Sequence, residues 1–223
     1  MGLESFHTSE TSDQPFKMEF GEKYASLVPL ELRQDPLGYF ERLGTPMKSG
    51  EKKYDKEGSL RDDPGAVRQL PDWEEGDRVV TPIAKWTNRE KSMLKETGEP
   101  LYEYNLLSYI QSLGLPAPKP IGFFESEQNS IFLMEKVDGY TKKELDVAVS
   151  GWSAEDIHQL KQDTEREMVD LQNLFLANGL QRSWKANDMI FQIDFVNRRL
   201  VRLIPTDFER TRVLVMEPNP KLT

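Results

Sequence analysis

Three prolines close together, in Leu115-Pro116-Ala117-Pro118-Lys119-Pro120, constrain this chain more than any other stretch. Each residue before a proline is driven out of the helical region, and a proline cannot donate a backbone hydrogen bond. The segment therefore has to run extended. Upstream of it, Pro100 suits the first turn of a helix running to about Leu113, and Gly114 suits the position that ends it. Leu106, Leu107, Ile110 and Leu113 give that helix one apolar stripe. Downstream, Ile121-Gly122-Phe123-Phe124 and Ile131-Phe132-Leu133-Met134 flank a polar turn, the pattern of a β-hairpin. The second strand then runs into Glu135-Lys136-Val137-Asp138-Gly139, where an apolar strand gives way to a polar linker.

The flanking regions are read in the same terms. Residues 1–20 are polar and aperiodic, and are expected to be mostly disordered. From Lys23 to Leu43, scattered apolar residues punctuated by Pro29 and Pro36 predict one or two short helices against a core. Val67–Leu70 and Arg78–Trp86 read as strands, and Pro82 puts the second at a sheet edge or on a bulge. The longest helix is predicted from Ser153 to Asn178: Ser153 is an N-cap with Asp156 behind it, Ile157, Leu160, Met168, Leu171 and Phe175 recur at helical spacing, and Gly179 closes it. Met189–Phe195 and Leu200–Ile204 form a second hairpin. No internal repeat is visible.

Composition narrows the function classes. The chain has no cysteine, so disulfides, thiolate metal sites and cysteine nucleophiles are excluded. His7 and His158 are too far apart in sequence to suggest a histidine-rich metal site. A net charge of −9 argues against a nucleic-acid partner, which calls for a basic surplus. No apolar run reaches the length of a membrane span and no basic-then-apolar leader opens the chain, so no membrane partner and a cytoplasmic location are expected.

Four positions carry chemistry of interest. Lys85 sits within the strand Pro82-Ile83-Ala84-Lys85-Trp86. Glu103 shares a helical face with Leu107 and Ile110, where a carboxylate is costly unless paired. The loop Gln181-Arg182-Ser183-Trp184-Lys185-Ala186-Asn187-Asp188 follows the long helix, and Thr206-Asp207-Phe208-Glu209 follows the second hairpin.

Taken in order, these parts resemble the protein kinase-like superfamily over residues 58–212. The Lys85 strand is similar to the family's V-A-I-K strand. Gly114-Leu115-Pro116-Ala117-Pro118-Lys119-Pro120-Ile121 is similar to the segment after the helix in small-molecule and sugar kinases. Asp207-Phe208-Glu209-Arg210 is similar to the metal-binding motif of aminoglycoside phosphotransferases and lipopolysaccharide sugar kinases, and the compact length is similar to RIO-type members. The resemblance implies an α+β, two-lobed fold with a reduced C-lobe: a partly disordered N-terminal extension over 1–57, an N-lobe over 58–136 and a C-lobe over 137–223.

It also implies ATP and Mg²⁺ as cofactors. Lys85 would hold the phosphates with Glu103 as its partner (Glu99 being the alternative), and Met134, Glu135 and Lys136 would be the hinge that binds the adenine edge. Asp188 and Asp207 would ligate the metal. The match departs from the family in two places. Where H-R-D-x-K-x-x-N is expected, Arg182 and Lys185 match, but Ser183 replaces the catalytic aspartate and Asp188 the metal-binding asparagine; Asn187 and Asp188 are the candidates to take over the missing roles. The segment Gly58 to Gly65 has the ends of a phosphate-binding loop without its glycine-rich middle. The first reading is an ATP/Mg-dependent phosphotransferase acting through Lys85, Glu103, Ser183, Lys185, Asp188 and Asp207 on a hydroxyl of a protein or small molecule. The alternative is a pseudokinase, a nucleotide-binding or protein-interaction module without transfer. A third is an acidic interaction protein that has kinase-like order by chance.

Overall fold

A computed structural model of the chain describes residues 16–47, 66–88, 100–127, 129–208 and 211–214, together with two short strands at 53–54 and 60–62. The chain opens with β1 (Lys17–Phe20), a 3-10 turn (Glu22–Tyr24) and two short helices, α1 (Leu30–Gln34) and α2 (Pro36–Leu43). Next come β2 (Thr45–Pro46), the antiparallel pair β3 (Lys53–Tyr54) and β4 (Leu60–Asp62), β5 (Val67–Gln69), and the hairpin of β6 (Trp73–Glu75) and β7 (Arg78–Val80). After these follow β8 (Pro82–Asn88), α3 (Pro100–Ser112), β9 (Pro120–Glu125) and β10 (Asn129–Glu135). Six of the strands form one antiparallel sheet in the order β1-β9-β10-β8-β5-β2.

The sheet is buried on both faces, which is why β10 reads as an unbroken apolar run and not as an alternation. Ile131 and Leu133 point to an outer core, while Phe132 and Met134 point to an inner one. The outer core is capped by the N-terminal segment, through Tyr24, Leu27, Val28, Leu32, Tyr39 and Phe40. The disorder expected over residues 1–20 does not hold for Lys17–Phe20, which form β1 and pair with β9. Glycine makes that pairing possible: a Cβ on Gly122 would stand 2.3 Å from the Glu19 carbonyl oxygen.

Pro82 lies neither at an edge nor on a bulge. β8 is a central strand between β10 and β5, and Pro82 is its first residue, where a missing N–H costs no rung of the ladder. The expected strand Arg78–Trp86 accordingly splits at Thr81, whose hydroxyl donates to Asp72 at 2.6 Å.

Beyond β10 the chain passes through Gly139 at φ 137°, where a Cβ would meet Ile190 Cγ2 at 2.6 Å. It continues into β11 (Tyr140–Thr141), α4 (Lys142–Ala148) and α5 (Ala154–Ala177). As expected from the sequence, the Ser153 side chain accepts from the Asp156 N–H, and the chain leaves the α5 end through Gly179 at φ 74°. Last come β12 (Leu180–Gln181), a 3-10 turn (Ala186–Asp188), the hairpin of β13 (Met189–Asp194) and β14 (Arg199–Pro205), and β15 (Arg212–Val213), which pairs with β12. The fold is the expected α+β arrangement, two lobes with a reduced C-lobe. One inner core joins them, in which Leu106, Leu107 and Ile110 of α3 cluster with Leu171, Phe175, Met189, Phe191 and Phe208. Among the described residues no helix is long and apolar enough to cross a membrane.

Candidate functional site

Lys85 lies in the middle of β8, opposite Phe132 of β10 and Val67 of β5. Its ammonium group reaches Glu103 on α3, with Nζ 2.9 Å from Oε1. The side chains are 20 % and 8 % exposed, so the pair is largely withdrawn from water. Glu103 faces inward because α3 turns Leu106, Leu107 and Ile110 to the core, and the carboxylate on that stripe finds the expected cation. Breaking such a pair by removing one partner typically costs about 3–5 kcal/mol, because it strands a buried charge.

At the end of β10, Met134 packs on the inner core, and Glu135 takes part in a different network. Its carboxylate accepts from the Tyr24 hydroxyl at 2.5 Å and from Lys119 Nζ at 3.0 Å. Burial raises the Glu135 carboxyl, but the hydrogen bonds from Tyr24 and Lys119 outweigh it and hold the group below the usual glutamate value. Burial, and then the bond to Glu135, push the Tyr24 phenol well above the ordinary tyrosine value. The Glu135 N–H donates to the Lys119 carbonyl and the Lys136 N–H to the Thr81 carbonyl, both at 2.8 Å. Two amides of the expected hinge are thus engaged within the protein, and Lys136 is exposed.

The second hairpin draws Asp188 and Asp207 to its base. Met189 pairs with Pro205, and both the N–H and the hydroxyl of Thr206 donate to the Asp188 carbonyl, at 2.9 and 3.1 Å. The Asp188 carboxylate accepts the Lys185 N–H at 3.0 Å, tying the turn that leads into β13. Asp207 is held from two sides: Arg182 Nη2 lies 3.0 Å from Oδ2, and the Trp184 indole N–H donates to its carbonyl at 2.9 Å. Trp184 in turn packs edge-on against Phe175, with ring centroids 4.7 Å apart, and against Phe208 at 5.8 Å. Phe208, Trp184 and Phe175 are all buried, so the Asp-Phe segment is anchored on α5. Ser183 and Lys185 are exposed in the same loop.

Two hard carboxylates at one hairpin base suit Mg²⁺, which takes one or two carboxylates and keeps several waters. Both already accept from the protein, Asp188 from an amide and Asp207 through Oδ2 from a guanidinium. Among the described residues no group of three or more histidine, aspartate or glutamate side chains could hold a metal ion. Gly58 to Gly65, Glu99 and Glu209 lie outside the described residues.

Arg182 and Trp184 were not among the expected site residues. Arg182 matches the basic position of the loop motif, which gave it no role toward Asp207; the inward turn of Trp184 has no sequence signature. A separate cavity of about 330 Å³ is lined by Tyr102, Asn105, Leu106, Tyr109 and Val213, between α3 and β15.

No family model and no curated protein matches the chain. Among solved structures it is similar to the bifunctional kinase–methyltransferase WbdD, at 13 % identity over 69 % of this chain and 32 % of that one, with a TM-score of 0.44. A complex of WbdD with the kinase inhibitor LY294002 aligns at 15 % identity over 67 % and 34 %, with a TM-score of 0.38. Residues 1–466 of Rad53, in complex with AMP-PNP, align at 16 % identity over 80 % and 43 %, with a TM-score of 0.44. The chain spans less than half the length of each.

Proposed function

We propose that this chain is a phosphotransferase of the kinase-like type, using ATP and Mg²⁺ and transferring to a hydroxyl of a protein or small molecule. The observation that supports it most is the Lys85–Glu103 pair: a lysine in a central strand, oriented by a mostly buried carboxylate from the neighbouring helix. In this role Glu103 holds the Lys85 side chain extended, and Lys85 presents positive charge to the nucleotide phosphates. With the amides of Glu135 and Lys136 engaged, the adenine edge is read by the carbonyls of the hinge and by the next amide, that of Val137. Asp188 and Asp207 would hold the metal, which when bound neutralises phosphate charge. Lys185, exposed in the same loop, would meet the acceptor. Ser183 supplies no general base at neutral pH, and such a base is worth roughly 10²–10⁴ in rate, so transfer is slow but not abolished.

The second reading, a pseudokinase that binds nucleotide without transfer, is favoured by the same Ser183 and by the guanidinium on Asp207. One experiment separates the two. Wild type, Lys85→Met and Asp207→Ala are melted with and without Mg–ATP, and transfer of the labelled γ-phosphate to water or to the chain itself is followed. Saturation to ten times Kd adds about 1.4 kcal/mol, a shift of roughly 2–4 °C at this size. The phosphotransferase reading expects that shift in wild type, its loss in Lys85→Met, and transfer abolished in Asp207→Ala. A shift without transfer above the Asp207→Ala background leaves the pseudokinase. Neither shift nor transfer sinks both.

A further inference from the structure

We infer that Arg182 is a resident counter-ion for Asp207 that competes with the divalent cation, so that metal can bind fully only when the Arg182–Asp207 pair opens. The inference rests on the proposed role of Asp207 as a cation ligand. Three observations carry it. The guanidinium meets the Asp207 carboxylate through Nη2 and Oδ2 at 3.0 Å, a charge-assisted bond on the atom type a hard cation would use. The Arg182 side chain is only 8 % exposed, while the Asp207 side chain is 41 % exposed. The carboxylate thus stands at the wet side of the pair and the cationic group on the dry side. Finally, the buried Nε of Arg182 has no hydrogen-bond partner among the described residues.

A buried guanidinium with an unsatisfied N–H relies heavily on the carboxylate it does have, and releasing that carboxylate leaves a desolvated charge. The pair therefore resists opening. A cation approaching Asp207 meets both the loss of this bond and the repulsion of a fixed positive charge. At an effective dielectric of about 20, one unit charge at contact distance is worth at least a factor of roughly ten in affinity. A phosphate oxygen arriving with the metal offers Arg182 a replacement partner, so nucleotide and cation favour each other's binding through this residue.

A purely structural arginine and a counter-ion predict opposite signs. If Arg182 only holds the loop in shape, removing it scatters the ligands and weakens cation binding. If it competes with the cation, removing it strengthens binding. The test uses the full chain and Mn²⁺ alone, with free ion read by electron paramagnetic resonance. Arg182→Gln is expected to bind Mn²⁺ roughly tenfold or more tightly than wild type. Arg182→Lys keeps the charge and should stay near wild type, and Asp207→Asn should abolish the tight binding in the Arg182→Gln background. Affinity unchanged or lowered in Arg182→Gln overturns the inference.

A measurement on unmodified protein covers the case in which Arg182→Gln does not fold. Saturating Mg²⁺ should shift the guanidinium NMR resonance of Arg182 as the pair opens, and an unmoved resonance overturns the inference. If neither wild type nor Arg182→Gln binds Mn²⁺ at all, the inference fails together with the metal role of Asp207. If wild type takes up Mg–ATP and transfers phosphate while Arg182→Gln gains no Mn²⁺ affinity, the inference fails alone.

Discussion

Glu135 and Tyr24 stand 111 positions apart and meet at the end of β10, where the sequence alone points only to a hinge. The hydrogen bond joins the N-terminal segment to the strand that carries Met134. Its acceptor is an ionised carboxylate, so Tyr24→Phe should cost about 1.5–3 kcal/mol, the usual worth of a bond to a charged group. The pH dependence has a definite sign. The folded value of Glu135 is lowered, so its contribution is fully present above the ordinary glutamate value of 4.5 and is lost as pH falls below that value through the lower folded one. In urea melts, the gap in stability between wild type and Glu135→Gln should be constant from neutral pH down to about pH 5 and narrow below it. A gap that widens on acidification would mean that the carboxyl is raised in the folded state. Lys85 and Glu103, by contrast, were legible from sequence, because a carboxylate on an apolar helical stripe demands a cation close by.

Among elements, β1 is the most exposed to a single change. It is an edge strand of four residues, held on β9 where Gly122 lets the two backbones close. An added Cβ at 122 would stand 2.3 Å from the Glu19 oxygen and 3.0 Å from the Phe20 Cα, and backbone cannot yield as a side-chain tip can. Gly122→Ala should therefore destabilise the protein by about 1–3 kcal/mol, as overpacking does. It should also speed amide exchange at residues 17–20 well before exchange in α5 changes. Unaltered exchange at residues 17–20 would show that β1 does not depend on that contact. β8 shows the complementary case, in which an unfavourable residue is tolerated: Pro82 occurs in a central strand, but only at the position where no N–H is needed.

At the scale of the molecule, the N-terminal segment is part of the structural core. Tyr24, Leu27, Val28, Leu32, Tyr39 and Phe40 are buried against Ile121, Phe124, Ile131 and Leu133. Six such side chains at about 1.5–3 kcal/mol each contribute on the order of 10 kcal/mol, comparable with the whole net stability of a typical domain. Deletion of residues 1–47 should therefore abolish cooperative unfolding and leave a chain that binds a hydrophobic dye. A sharp thermal transition in the truncated chain would show instead that the sheet stands without its cover.

What the sequence determined by itself is local. The proline-rich run set an extended crossing between α3 and β9, Ser153 and Gly179 bounded α5, and two apolar runs around a polar turn gave the β9–β10 hairpin. Each follows from backbone sterics and from bonds between near neighbours, which are the same in any fold. The Lys85–Glu103 pair lies at the limit of that reasoning, since helical periodicity exposed the unpaired carboxylate and the order of elements supplied its partner. Only the tertiary structure decided that residues 24–43 cover the outer face of the sheet, that Glu135 answers to Tyr24 and Lys119, and that Arg182 and Trp184 both turn onto Asp207. The physical reason is common to all three. Contacts between residues distant along the chain depend on strand order, register and the direction in which each loop closes, and these are set by burying all the apolar faces together, not by any stretch alone.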